Sequence, residues 1–165
     1  MSSNEAPKDL VIQKEKVHVE LCTSRGRLAR GDVFLRPPHE ASDRGERLLD
    51  VLAERWFLPV HTVEKMTFCS TRDLAWVRID LMAALDELDP EAENDEASCT
   101  ARVTLELLDG SKLEGTVLYS MPAGYRRLGD YLEKLPHFFP LRTDDWLYLV
   151  SAACVASVTP LEEKR

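Results

Sequence analysis

Val17, Val19 and Leu21 alternate with His18, Glu20 and Cys22, and further along Val103, Leu105 and Leu107 alternate with Thr104, Glu106 and Leu108. A period of two puts every second side chain on one face, so each run predicts a strand buried on one side. Asp109-Gly110 follows the second run. That pair predicts a tight hairpin turn, because glycine takes a positive φ without steric cost. Residues 23–26 hold the matching place after the first run, and the return strands are expected over 28–35 and 112–119. The period then lengthens. Leu128, Tyr131, Leu132 and Leu135 fall at i, i+3, i+4 and i+7, the stripe of a short helix. Leu48, Leu49, Leu52 and Trp56 form a comparable stripe, Asp43 with Glu46 offers a capping box, and Pro136 ends the second helix. After the helices, segments 63–69 and 74–79, then 146–150 and 154–158, read as a second hairpin in each half.

The blocks recur in the same order. Pro59-Val60-His61-Thr62 matches Pro140-Leu141-Arg142-Thr143, and Ser70, Ala75 and Val77 meet Ser151, Ala156 and Val158 at the same offset. Upstream, Arg47-Leu48-Leu49-Asp50-Val51-Leu52 matches Arg127-Leu128-Gly129-Asp130-Tyr131-Leu132. The segment 28–33 resembles 113–117, and Val17–Leu21 aligns on Val103–Leu107. This pattern predicts an α+β, mainly β chain made of two tandem β-β-α-β-β repeats, with room for one further strand each. Units of about 60 residues bury too little surface to stand alone. The halves are therefore expected as small barrel or sandwich-like units that cover each other about a pseudo-twofold axis. The expected boundaries are a tail over 1–15, a first unit over 16–80, a linker over 81–98, a second unit over 99–160 and a tail over 161–165.

Gly115-x-Val117, Arg127-Leu128-x-Asp130-x-Leu132 and Phe139-Pro140-Leu141-x-Thr143-Asp144 carry a family resemblance. The second half resembles a small bacterial β-rich family of unknown function whose pattern is loosely similar to Sm-type barrels. The resemblance implies a fold. The RNA binding of true Sm proteins is not carried over, because the chain lacks clear RNA-contacting signatures.

The formal charge of −8 changes this picture little once it is located. Residues 1–80 hold 13 basic and 13 acidic side chains, and residues 99–165 hold 8 and 9. Residues 81–98 hold seven acids and no base, so the excess sits in the linker, which is expected to be solvated over 90–98. The start, Met1 to Lys16, lacks the apolar centre of a signal peptide, and no run is long enough to cross a bilayer. A cytoplasmic address is the expectation, with no membrane partner. Cys22, Cys69, Cys99 and Cys154 form no C-x-x-C pair and read as reduced, mostly buried thiols.

Candidate chemistry is sparse. No G-x-S-x-G, phosphate-loop or dinucleotide-binding glycine pattern is present, and His18, His39, His61 and His137 are too scattered for a local metal site. No catalytic residue, metal or cofactor is therefore expected. Arg47 with Asp50 and Arg127 with Asp130 recur at one place, as helix-face pairs or as contacts to a ligand or partner. Trp76 faces Ser157 in the repeat and is a candidate partner contact. Arg25, Arg27, Arg30 and Arg36 cluster on the first hairpin, as a nucleic-acid site requires. The leading expectation is a non-enzymatic protein-interaction or scaffolding module that binds a protein or itself. The alternatives are nucleic-acid binding through the first hairpin, and a small-molecule binder or enzyme with its site between the repeats.

Overall fold

The computed structural model describes residues 14–40, 43–84, 87 and 98–164. The expected N-terminal tail, apart from its last two residues, and most of the acidic linker lie outside the described residues. The first half runs β1 (Glu15–Thr23), β2 (Leu28–Leu35), α1 (Leu48–Glu54), β3 (Phe57–His61), β4 (Met66–Ser70), a 3-10 turn (Thr71–Asp73) and β5 (Leu74–Asp80). The second half runs β6 (Ser98–Leu107), β7 (Lys112–Ser120), α2 (Leu128–Leu132), β8 (Phe138–Arg142), β9 (Trp146–Ser151), a 3-10 turn (Ala152–Cys154) and β10 (Val155–Lys164). The chain is mainly β, and all ten strands belong to one open antiparallel sheet in the order β10-β6-β7-β8-β9-β5-β1-β2-β3-β4.

This order corrects several expectations. The halves do not close as separate barrels. They are continuous through β5 and β9, which pair from Trp76↔Val150 to Asp80↔Trp146. The fifth strand of the first half thus meets the fourth strand of the second. A twofold axis brings like against like, so the expected pseudo-twofold is not the relation between the halves, which join head to tail. Each half has five strands among the described residues, the four expected and the further one allowed for. β3 and β8 were not expected as strands, because Phe57-Leu58-Pro59-Val60-His61 is nearly continuous in apolar residues and contains a proline. β4 pairs with β3 and not with β5, so the expected second hairpin lies one strand earlier. β10 extends to Lys164 opposite Thr100, through the segment expected as a tail.

The alignment of β1 on β6 shifts by two residues. Val19 lies opposite Gly31 and Val103 opposite Gly115, so Val19 corresponds to Val103. An even shift leaves every side chain on its own face, which is why alternation alone did not reveal it.

Two hydrophobic cores result. Val19, Leu21, Val33, Leu48, Val51, Leu52, Leu58 and Val60 form the centre of the first half. Cys99, Ala101, Val103, Leu105, Val117, Leu128, Phe139 and Leu141 form that of the second. The joining strands serve both. On β9, Tyr148 and Val150 enter the second core while Leu147 and Leu149 enter the first. On β5, Val77 and Ile79 enter the first core and Trp76 the second. Alternate residues of a strand point to opposite faces, so the two cores lie on opposite faces of the sheet at the joint.

Two glycines fix the bend between strands. A Cβ at Gly31 would sit 2.6 Å from the carbonyl oxygen of His61, and one at Gly115 would sit 2.6 Å from that of Arg142. Only a glycine lets β2 approach β3, and β7 approach β8, this closely.

Candidate interaction edge

The sheet ends in two open strands, β4 and β10, with no further strand against either among the described residues. At β4 the chain turns from β3 through Thr62 and Lys65. The Thr62 amide donates to the Lys65 carbonyl at 2.9 Å, and the Thr62 hydroxyl accepts from the Lys65 amide at 3.2 Å. That bond sets the parity of the ladder, since hydrogen-bonded and non-bonded pairs alternate in antiparallel strands. Thr67 and Cys69 therefore bond to β3, and the backbone groups of Met66 and Phe68 point to the open edge. Pro59 opposite Phe68 falls on a non-bonded pair, so its missing amide costs this ladder nothing.

The face of β3 and β4 turned away from the first core is apolar. Phe57 is 55% exposed, Phe68 59% and Met66 49%, and Phe34 meets the His61 ring edge-on at 4.9 Å. Trp56, also exposed, lies under the Arg72 guanidinium at 3.6 Å. An edge strand of this kind is a template for a further strand, and most proteins blunt it with lysine, proline or a bulge. β4 carries none of these between Met66 and Ser70. β10 carries two, Pro160 and a register shift between Pro160 and Glu162.

The residues singled out in the sequence are spread over other places. Arg47 grips Asp50 by two bonds of 3.0 Å at the start of α1. Asp130 accepts from the Arg127 amide at 3.3 Å at the start of α2. Both pairs secure helix starts, and neither reaches the β4 edge. The expected capping box at Asp43 and Glu46 does not form at α1. Asp43 instead holds the preceding loop, accepting from Arg36 at 2.6 Å and from the His39 and Gly45 amides. The Arg36 bond and these two amides hold its carboxyl well below the usual carboxylate range. The cap on α1 comes from Glu87, whose carboxylate accepts from the Leu48 amide and, at 3.1 Å, from the Leu49 amide. Burial pushes Glu87 up against the pull of those amides. Its distance of 39 residues from Leu48 hid it in the sequence.

Trp76 is buried in the joint between the halves, edge-on to Tyr148 at 5.3 Å. Beside it Arg78 donates to the Tyr148 hydroxyl at 2.8 Å and to Glu20 at 2.8 Å, and lies 4.2 Å from the centre of the Trp146 ring. Trp76 is thus at an interface, but its partner is the other half of the same chain.

The four arginines do not converge. Arg30 pairs with Glu20 at 3.0 Å, Arg36 pairs with Asp43, and Arg25 and Arg27 stand exposed at the hairpin tip. Three of the four histidines have local side-chain partners: His18 faces Asp32 at 3.0 Å, His61 meets Phe34, and His137 meets Phe138. An open cleft of about 520 Å³ lies on the second half, lined by Arg102, Glu114, Thr116, Arg142 and Asp144. A smaller one of about 280 Å³ lies between the end of α1 and His137. Arg102 is paired with Glu114 within the larger cleft.

Among the described residues no helix is long and apolar enough to cross a membrane. No protein-family model matches the chain, and neither a curated protein nor a solved structure matches it.

Proposed function

We propose that the chain is a non-enzymatic protein-interaction module, built by internal duplication, that works through the open β4 edge and its apolar face. The observation that carries this reading is the exposure of Met66 and Phe68 on an edge strand without blunting residues, beside exposed Phe57 on the neighbouring β3. Removing the exposed parts of three such side chains from water contributes on the order of 1 kcal/mol each. The open backbone groups of Met66 and Phe68 add strand pairing, which gives register as well as affinity.

The duplication is supported by local geometry that recurs in the same order in both halves. The Thr62–Lys65 turn returns at Thr143 and Trp146, where the amide bond is 2.8 Å. The Thr71 amide donates to the Trp56 carbonyl, and the Ala152 amide to that of His137, both at 2.9 Å. Gly26 and Gly110 take φ of 79° and 84° in the first turn of each half. Shared turn composition alone does not account for long-range bonds of this kind.

The test compares wild type with Phe68→Glu as bait in a pull-down from the source cell. Proteins retained by the wild type, including untagged copies of the chain, are expected to be lost from the variant while its circular dichroism is unchanged. Equal retention by the two baits overturns the reading.

A further inference from the structure

We infer that the occupant of the β4 edge is the second half of another copy of this chain, joined to it as β9 is joined to β5 within one chain. The inference rests on the interaction reading above and names its partner. Phe138, Leu147 and Leu149 hold the places in the second half that Phe57, Met66 and Phe68 hold in the first. The former are 1%, 0% and 0% exposed, because they seat in the core of the first half. The latter have the same chemistry but stand about half exposed, with no strand seated on them among the described residues.

The receiving side shows the complementary difference. Leu52, Val77 and Ile79 are buried in the first half, where the second half seats on them. Their counterparts Leu132, Val158 and Pro160 are apolar, yet Leu132 and Val158 are only half-buried and Pro160 is exposed. One end of the molecule thus displays the face that fills the joint, and the other displays the face that receives it. A like-with-like pairing of two β4 strands would leave the receiving face uncovered.

Register follows from the internal joint. Trp76↔Val150 and Arg78↔Tyr148 translate into Ser157 opposite Cys69 and Thr159 opposite Thr67. Facing threonines are a favourable cross-strand pair. Pro160 stands where Ile79 offers its amide to β9, so the joint between chains has one ladder bond fewer than the joint within a chain. The Glu20–Arg78–Tyr148 cluster has no counterpart there either, since the matching residues are Thr104, Thr159 and Thr67. The contact between chains is therefore the weaker of the two and depends on concentration.

Two experiments test it on the full chain. In the first, Ser157→Cys is mildly oxidised at high concentration. The new thiol and Cys69 of the next copy face each other across a non-bonded pair, where Cα atoms are about 4.5 Å apart, within disulfide reach. A ladder of covalent multimers is expected, absent when Cys69→Ser is added. In the second, Phe68→Glu and Leu132→Glu are measured by light scattering, alone and mixed. Each alone is expected to be monomeric, and the mixture to form dimers and stop there, because each partner keeps one good face. Val158→Asp replaces Leu132→Glu should the latter fail to fold.

A dimeric Leu132→Glu beside a monomeric Phe68→Glu means that β4 meets β4, which overturns the head-to-tail joint and leaves the interaction surface standing. A wild type that stays monomeric at high concentration, while its pull-down still depends on Phe68, overturns the second copy as partner. Loss of that dependence removes the interaction surface itself.

Discussion

A methyl group added at Gly31 or Gly115 lands 2.6 Å from a backbone carbonyl oxygen of the neighbouring strand, which has no flexible end to move aside. Overpacking of this kind costs about 2 kcal/mol or more. Gly31→Ala and Gly115→Ala are therefore expected to lower the urea midpoint by similar amounts. Gly129→Ala is the control. It lies in α2 with nothing within 4 Å of its Cβ, and is expected to be neutral or to stabilise by up to about 1 kcal/mol. Equal effects at Gly115 and Gly129 would contradict the close approach of β7 and β8. Glu87 carries a pH signature of its own. Burial holds its carboxyl above the ordinary 4.5, so the folded chain keeps that proton to higher pH than the unfolded chain does. Between the two pKa values the folded state binds more protons, so this group's contribution to stability falls as pH rises through that window. Glu87→Gln is expected to remove the decline, read as a wild-type minus variant difference in urea midpoint between about pH 4 and 7. Of these residues, Gly115 was visible in the sequence inside a Gly-x-Val block. Glu87 was not, because a cap supplied from 39 residues away leaves no local trace.

Among the elements, the joining strands decide how the halves hold together. β5 and β9 are buried on both faces, and an unbroken apolar run records double burial without saying what lies on either side. The first hairpin turn of each half and the starts of both helices followed from turn chemistry and from the 3.6 period, but α1 ends before Trp56 and α2 before Leu135 and Pro136. β3 and β8 escaped because a five-residue strand with a central proline shows no alternation, and the sheet tolerates that proline only because its amide is not needed in the ladder to the next strand. The candidate edge was equally hidden, since nothing in the residues around Phe57 and Phe68 says which strand ends the sheet. At the joint itself, Arg78 ties β5 to β1 through Glu20 and to β9 through Tyr148. Arg78→Met is expected to destabilise by about 1–3 kcal/mol, because Glu20 and the Tyr148 hydroxyl each lose a partner in a half-buried place. A double-mutant cycle of Arg78→Met with Tyr148→Phe isolates the second bond. A coupling near zero would mean that the bond adds nothing to the joint.

At the scale of the molecule, the two cores are separate clusters that cannot be separated physically. Leu147 and Leu149 belong by chain to the second half and by packing to the first, and Trp76 does the reverse. Cutting the chain between the halves would expose Phe138, Leu147 and Leu149 on one piece, and Val77 and Ile79 on the other, all at most 1% exposed in the whole. Fully burying such side chains is worth about 1.5–3 kcal/mol each, so five of them together are comparable with the whole 5–15 kcal/mol by which a domain is ordinarily stable. The whole chain is therefore expected to unfold in urea as one transition. Tryptophan fluorescence reports on Trp76 and Trp146 at the joint and on Trp56 beside Arg72, and circular dichroism on the strands of both halves, so the two curves should coincide. Residues 14–84 and 98–164 made separately are expected to be insoluble or unfolded alone, and to gain native circular dichroism when refolded together. Two resolved transitions, or a half that folds cooperatively without the other, would mean that the shared strands do not couple the cores. The head-to-tail joint would then be a loose contact, too weak a template for joining one chain to the next.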